Sequence, residues 1–145
     1  MIATMRAKAG LSYWLIAAGS LLWNAFGGYD YWMTNTRNMD YLKNFPAEMM
    51  QMIDAFPLWA MAAWACGVWG AVLGSLLLLI RSRWAVWAFA LSLGGLAVST
   101  IYQMGLDMPP ELETTTMKLM NVVIWVAALF LLWWARRQQK AGVIA

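Results

Sequence analysis

Four stretches of the chain are apolar for long enough to matter in a bilayer, and the polar positions between them set the plan of the molecule. The purely apolar part of the first runs from Leu11 to Phe26, about 24 Å of helix, short of the roughly 30 Å of a hydrocarbon core. The first span is therefore predicted to continue through Gly27 and Gly28 to about Trp32, which carries Asn24 into the hydrocarbon edge and Asp30 to the headgroups. The other spans are predicted over Pro57 to Ile80, Trp84 to Met104 and Thr115 to Ala135. Only Arg81, Ser82 and Arg83 separate the second span from the third, so those two must be antiparallel neighbours. The second carries Gly67, Gly70 and Gly74 along one side, and the third answers with Ser92, Gly95 and Ser99. Small residues at such spacings let backbones approach closely, which predicts a hairpin packed small face to small face.

The stretch from Leu22 to Asp40, LWNAFGGYDYWMTNTRNMD, loses its apolar character without a clear helix stop. One helix through it would bring Asn24, Tyr31, Asn35 and Asn38 near one meridian and line up Asp30, Thr34 and Arg37 on a second face. Phe45 to Phe56 is predicted as a separate short amphipathic helix in a long first outer loop. Pro46 suits its first turn, Glu48 complements its N-terminus, and Met49, Met52, Ile53 and Phe56 recur at helical spacing. Its other side, Glu48, Gln51 and Asp54, is acidic, which favours a cap on the bundle over a sensor of anionic lipid.

Composition agrees with this plan. Of 145 residues 63% are hydrophobic and 12% charged, and mean hydropathy is +0.58; soluble domains hold roughly 45–50% and 25%. The fold class expected is all-α, a four-helix transmembrane bundle forming a single domain. The single Cys66 excludes an intramolecular disulfide, and the lack of histidine removes His-ligated haem, His-based zinc sites and the commonest general base. Arg6, Lys8, Arg81, Arg83, Arg136, Arg137 and Lys140 fall at one membrane face, against Arg37, Lys43 and Lys118 at the other, where all seven acids also lie. That bias predicts both termini in the cytoplasm and disfavours dual topology. It also explains the net charge of +3 without nucleic acid, since the bases flank spans and do not interleave on a groove. Arg6 and Lys8 ahead of an apolar run resemble a signal peptide, but no clear A-x-A site follows, and the segment is expected to stay as the first span.

No Asp, Glu, Lys or Arg falls within Leu11 to Phe26, Pro57 to Ile80, Trp84 to Met104 or Leu119 to Ala135. This argues against proton coupling more strongly than against passage of an uncharged solute, for which Asn24, Gln103, Asn121 and a tryptophan could line a path. The competing role for these polar groups is helix-packing glue. Trp64, Trp69 and Trp125 lie too deep for an interfacial belt and are candidates for core filling, partner contact or stacking on a ligand. The twelve methionines read as adaptable packing ahead of a copper site. Asp30, Arg37 and Asp40 form the best polar group, either a salt-bridged cap tying the first helix to the outer helix or a recognition patch at a cavity mouth. Ten residues of helix would hold Asp30 and Asp40 about 15 Å apart, too far for paired-carboxylate hydrolysis.

The runs LLWNAFGGYDYWM, from Leu21 to Met33, and Pro57 to Gln103, with GAVLGSLLLL leading into a basic turn and a third span built on Ala85 to Gly94, resemble a family of small four-span bacterial inner-membrane proteins. Such proteins are often labelled sugar transporters. The resemblance implies a multi-pass protein of the bacterial inner membrane; Thr34 to Phe56 is the part it matches least. The expected function is non-enzymatic, since no base, metal cluster or phosphate loop is present. The leading expectation is an accessory subunit packed beside a larger membrane assembly, a bioenergetic complex being one candidate, among lipids and other integral-membrane subunits. The alternative is a small facilitative transporter of an uncharged solute such as a sugar. No cofactor is required, although a bound lipid, quinone or pigment is compatible with the deep tryptophans.

Overall fold

The structure is a computed structural model that describes residues 5–145. Among these the regular structure is entirely helical: α1 (Leu11–Asn35), α2 (Met39–Leu42), α3 (Ala47–Asp54), α4 (Leu58–Leu79), α5 (Trp84–Met104) and α6 (Thr115–Lys140), with one 3-10 turn at Pro110–Leu112. Three of them, α4, α5 and α6, are long and apolar enough to cross a membrane. At about 37 Å α1 has the length, but its polar residues keep it out of that set.

Helix α1 runs unbroken through Gly27 and Gly28, as the span-length argument requires, and stops three residues short of Asn38. Asn38 is therefore not on the α1 meridian. Its side chain instead accepts the Tyr41 N–H at 3.1 Å and starts α2, a short helix the periodicity did not predict. Arg37 likewise leaves the α1 surface. It takes a left-handed conformation, φ 57°, while the Asn38 N–H bonds back to the Met33 carbonyl at 3.1 Å. Helix α3 is shorter than predicted because Pro46 caps it and Ala55 ends it. Helix α6 overshoots Ala135 by more than a turn, since the polar ARRQQK run that follows the apolar stretch is still a good helix former.

The helices alternate in direction, so the start of α1, the α4–α5 turn and the end of α6 share one end of the bundle, the base. The tight pairs are α4 with α5, α1 with α4 and α5 with α6. The α4–α5 seam is the closest because it has almost no side chain in it. A carbon added to Gly95 would stand 2.6 Å from both the Ala63 carbonyl oxygen and the Gly67 nitrogen, and one on Gly70 would stand 3.1 Å from the Ser92 nitrogen. The Ser92 hydroxyl donates to the Gly67 carbonyl at 2.5 Å. Gly74 makes room for the Phe89 ring.

At the base Tyr13, Leu78, Phe89, Leu131, Trp134, Val143 and Ile144 form the main buried cluster. The Tyr13 ring lies 5.2 Å from that of Trp134, and its hydroxyl donates to the Leu78 carbonyl at 2.5 Å, so α1, α4 and α6 meet there. The tail after α6 closes the base: Val143 and Ile144 are buried, and the Ala145 N–H bonds to the Arg81 carbonyl at 3.2 Å. Arg81 also sits at φ 57°, a conformation that costs a side-chain-bearing residue about 1–2 kcal/mol. The cost is offset by its guanidinium, which donates to the carbonyls of Val143 and Ala7, ties a glycine could not make.

Gly95→Ala is expected to destabilise the protein by about 1–3 kcal/mol, the cost of overpacking a backbone contact. Gly94→Ala, with nothing within 4 Å of the added carbon, should match or slightly exceed the parent. Unfolding both variants in mixed detergent–SDS micelles reads the difference.

Candidate functional site

A cavity of about 510 Å³ lies inside the bundle above the base cluster, within the size range of small-molecule sites. All four long helices line it: Trp23, Asn24, Phe26 and Asp30 from α1, Trp64, Val68 and Ala71 from α4, Phe89, Ser92, Ser99 and Gln103 from α5, and Met120, Asn121, Ile124 and Ala128 from α6. Three seams of the bundle are tight pairs, so the cavity opens at the fourth, between α1 and α6. Phe26 and Met120, on opposite sides of that seam, are 68% and 50% exposed. A second cavity of about 500 Å³ adjoins the first, sharing Met49, Thr100, Gln103, Met117 and Asn121 with it.

The wall changes character with height. Phe89, Leu131 and Ala128 make the lower part apolar. The polar groups at mid-height are already engaged within the protein. Asn24 Nδ2 donates to Ser75 Oγ at 2.8 Å and to the Ala71 carbonyl at 3.3 Å, and Ser20 donates to the same Ser75 Oγ at 3.1 Å. Higher up, Thr100 donates to the Leu96 carbonyl at 2.8 Å and accepts the Trp125 Nε1–H at 3.2 Å. Ser99 also lies in the upper wall. It is only 6% exposed, and its hydroxyl has no hydrogen-bond partner, an omission worth about 1–3 kcal/mol. The Thr34 hydroxyl is also buried and unpartnered, but Thr34 is not part of the cavity wall.

A roof of short elements covers the end opposite the base. Met49 of α3 reaches both cavities, and α3 leans on the Pro110–Leu112 turn. Two polar ties hold the roof to α1 and the link that follows it: Arg37 of the link pairs with Asp54 of α3, and the Tyr41 hydroxyl of α2 donates to Asp30 at 2.5 Å. The Tyr41 ring also meets Tyr29 and Phe45 edge-on at 5.5 and 5.4 Å. Loss of hydration, reinforced by its hydrogen bond to the Asp30 carboxylate and by that negative charge, pushes the Tyr41 phenol up to about 12.

The residues singled out from sequence thus separate into groups. Asn24, Gln103 and Asn121 line one cavity, and Trp64 joins them with Tyr31 edge-on to it at 4.8 Å. Trp69 packs beside Tyr31 at 6.0 Å and against Gly28 in the α1–α4 seam, and Trp125 bonds α6 to α5; neither lines the cavity. Asp30, Arg37 and Asp40 do not form one cluster: Asp30 binds Tyr41, Arg37 binds Asp54, and Asp40 stands exposed on α2. Gly67, Gly70, Gly74 and Gly95 lie in the α4–α5 seam with Ser92, while Gly67, Ser92 and Ser99 also line the cavity. The reading from sequence passed over Tyr41 and the burial of Val143 and Ile144. An apolar VIA two residues after a basic run was the available signal for the latter. Among the described residues no group of three or more His, Cys, Asp or Glu side chains could hold a metal ion. No family model, curated protein or solved structure matches the chain.

Because the folded-state value for Tyr41 lies above the usual value of about 10, its contribution to stability is fully present below pH 10 and is lost as the pH rises through about 12. Tyr41→Phe should be less stable than the parent near pH 8 but lose less between pH 10 and pH 12. Thermal unfolding across that range, parent against variant, checks both the sign and the window.

Proposed function

We propose that this chain is a non-enzymatic membrane protein that binds an uncharged, largely apolar molecule in the cavity between its four long helices. The observation that carries the reading is the cavity wall itself: an apolar lower part, a few free polar side chains above, and one open seam between α1 and α6. In this reading α1 is the fourth span. Its support is the division of its faces: Ser20 and Asn24 turn to Ser75 of α4, while Leu11, Leu15, Leu22 and Phe26 are exposed for lipid. The basic base belongs at the cytoplasmic face of a bacterial inner membrane and the acidic roof outside it.

Facilitated passage of a sugar, as the family resemblance implies, fits the same cavity less well. A sugar needs partners for many hydroxyls, and most polar groups of the wall are spent on the protein's own hydrogen bonds. An accessory role beside a larger membrane assembly is favoured by a different observation. Helix α6 packs chiefly on α5 and leaves Leu119, Val122, Val126 and Phe130 exposed.

Native mass spectrometry of the protein, gently extracted from its own membrane, tests both readings. A small molecule carried by the parent and lost from Ala128→Trp, which fills the cavity, supports ligand binding. Co-release with other polypeptides supports the accessory role, and a bare chain with or without the substitution overturns both.

A further inference from the structure

The free hydrogen-bonding groups of the cavity are not scattered. Ser99 and Gln103 stand one turn apart on α5, and Asn121 faces the cavity from α6 at its upper end. Asn24 and Ser92, lower down, are held by internal hydrogen bonds, and below them the wall is Phe89, Ala128 and Leu131. The cavity therefore has a polar end toward the roof and an apolar end toward the base, with its opening alongside. A tailless polar solute would leave the lower wall uncovered, and a pure hydrocarbon would leave the Ser99 hydroxyl without a partner.

We infer that the cavity takes a neutral amphiphile from the surrounding bilayer, its uncharged hydroxyl- or carbonyl-bearing head at Ser99, Gln103 and Asn121 and its tail directed to the base and out between α1 and α6. This inference rests on the ligand-binding reading and adds the ligand's class and orientation. The head is neutral because these three donors are neutral. The nearest carboxylate on the wall, Asp30, is engaged with Tyr41, and the charged Glu113 and Lys118 line only the adjoining cavity. The tail lies parallel to lipid chains of the outer leaflet, so such a molecule can slide in sideways without crossing water. Methionines 49, 117 and 120 around the upper cavity supply unbranched, adaptable surface for heads of somewhat different shape. Quinones and monoacylglycerols both have this chemistry, one from the electron carriers of a membrane and the other from its lipids.

The experiment uses the full chain, stripped of bound molecules in detergent and checked to be folded by circular dichroism. Native mass spectrometry then counts adducts with five probes: a benzoquinone with a ten-carbon tail, a monoacylglycerol, a fatty acid and an alkyl trimethylammonium of similar tail, and glucose. The inference expects one-to-one binding of at least one neutral amphiphile, with the two charged amphiphiles and glucose at least tenfold weaker. The quinone or the monoacylglycerol binding alone identifies the source. Gln103→Leu should weaken the neutral probe about tenfold. Asn121→Leu, at an exposed position where folding is tolerant, should weaken it several-fold even if the first variant misfolds. Equal binding of charged amphiphiles, binding of glucose in preference, or indifference to both substitutions would overturn the inference while leaving a ligand-binding cavity. Failure of every probe to bind, with no native ligand on the membrane-extracted protein, would overturn the cavity reading as well.

Discussion

The contact between the bare backbones of α4 and α5 is what the rest of the structure depends on. Between apolar helices in lipid the hydrophobic effect gives no attraction, and close van der Waals contact and interhelical hydrogen bonds must supply it. Gly95 lets the two backbones meet where an added Cβ would collide, Gly67 and Gly70 where it would be tightly crowded, and the Ser92 hydroxyl fastens them at the Gly67 carbonyl. With the hairpin fixed, α1 docks on α4, where Gly28 admits the Trp69 ring and Asn24 reaches Ser75. Helix α6 docks on α5 through Trp125 and Thr100. The two outer helices thus stand on opposite edges of the hairpin and approach each other at the base, where Tyr13 stacks on Trp134.

The cavity follows from that set of contacts. A bundle with four tight seams would close on itself; with three, the space beside the fourth stays open. The base is sealed by Phe89, Leu131 and the returning tail, and the outer end is roofed by α2 and α3. Both strained arginines serve these closures. Arg81 and Arg37 each occupy a left-handed helix stop where glycine would be cheaper, and each uses its side chain to tie a distant segment, the tail in one case and α3 in the other.

Much of this was legible in the residues. Span lengths, the short basic turn and the glycine–serine ridges predicted the α4–α5 hairpin because small residues at fixed spacing have few other uses in lipid. The continuation of α1 past Gly27 followed from bilayer thickness. Its end did not, since Arg37 stops it without the usual glycine or proline, and so Asn38 and Arg37 were assigned to a surface that the helix never reaches. The three amides Asn24, Gln103 and Asn121 were legible as polar residues in or near spans, but their division into an engaged deep one and free upper ones depends on neighbours remote in sequence. The open seam was out of reach for the same reason: it arises from where α1 and α6 stay apart above the base, a property no local pattern carries.

The most direct test of the account is whether α1 crosses the bilayer with its polar residues turned inward. In a Cys66→Ala background, single cysteines from Leu21 to Asp30 would carry nitroxide labels, and their collision rates with oxygen and with a water-soluble nickel chelate would be measured in liposomes. The account predicts a helical period in oxygen access, high at Leu22 and Phe26 and low at Asn24 and Gly28, with little nickel access at Leu22. High nickel access at Leu22, or oxygen access without a period, would put α1 at the membrane surface and contradict it.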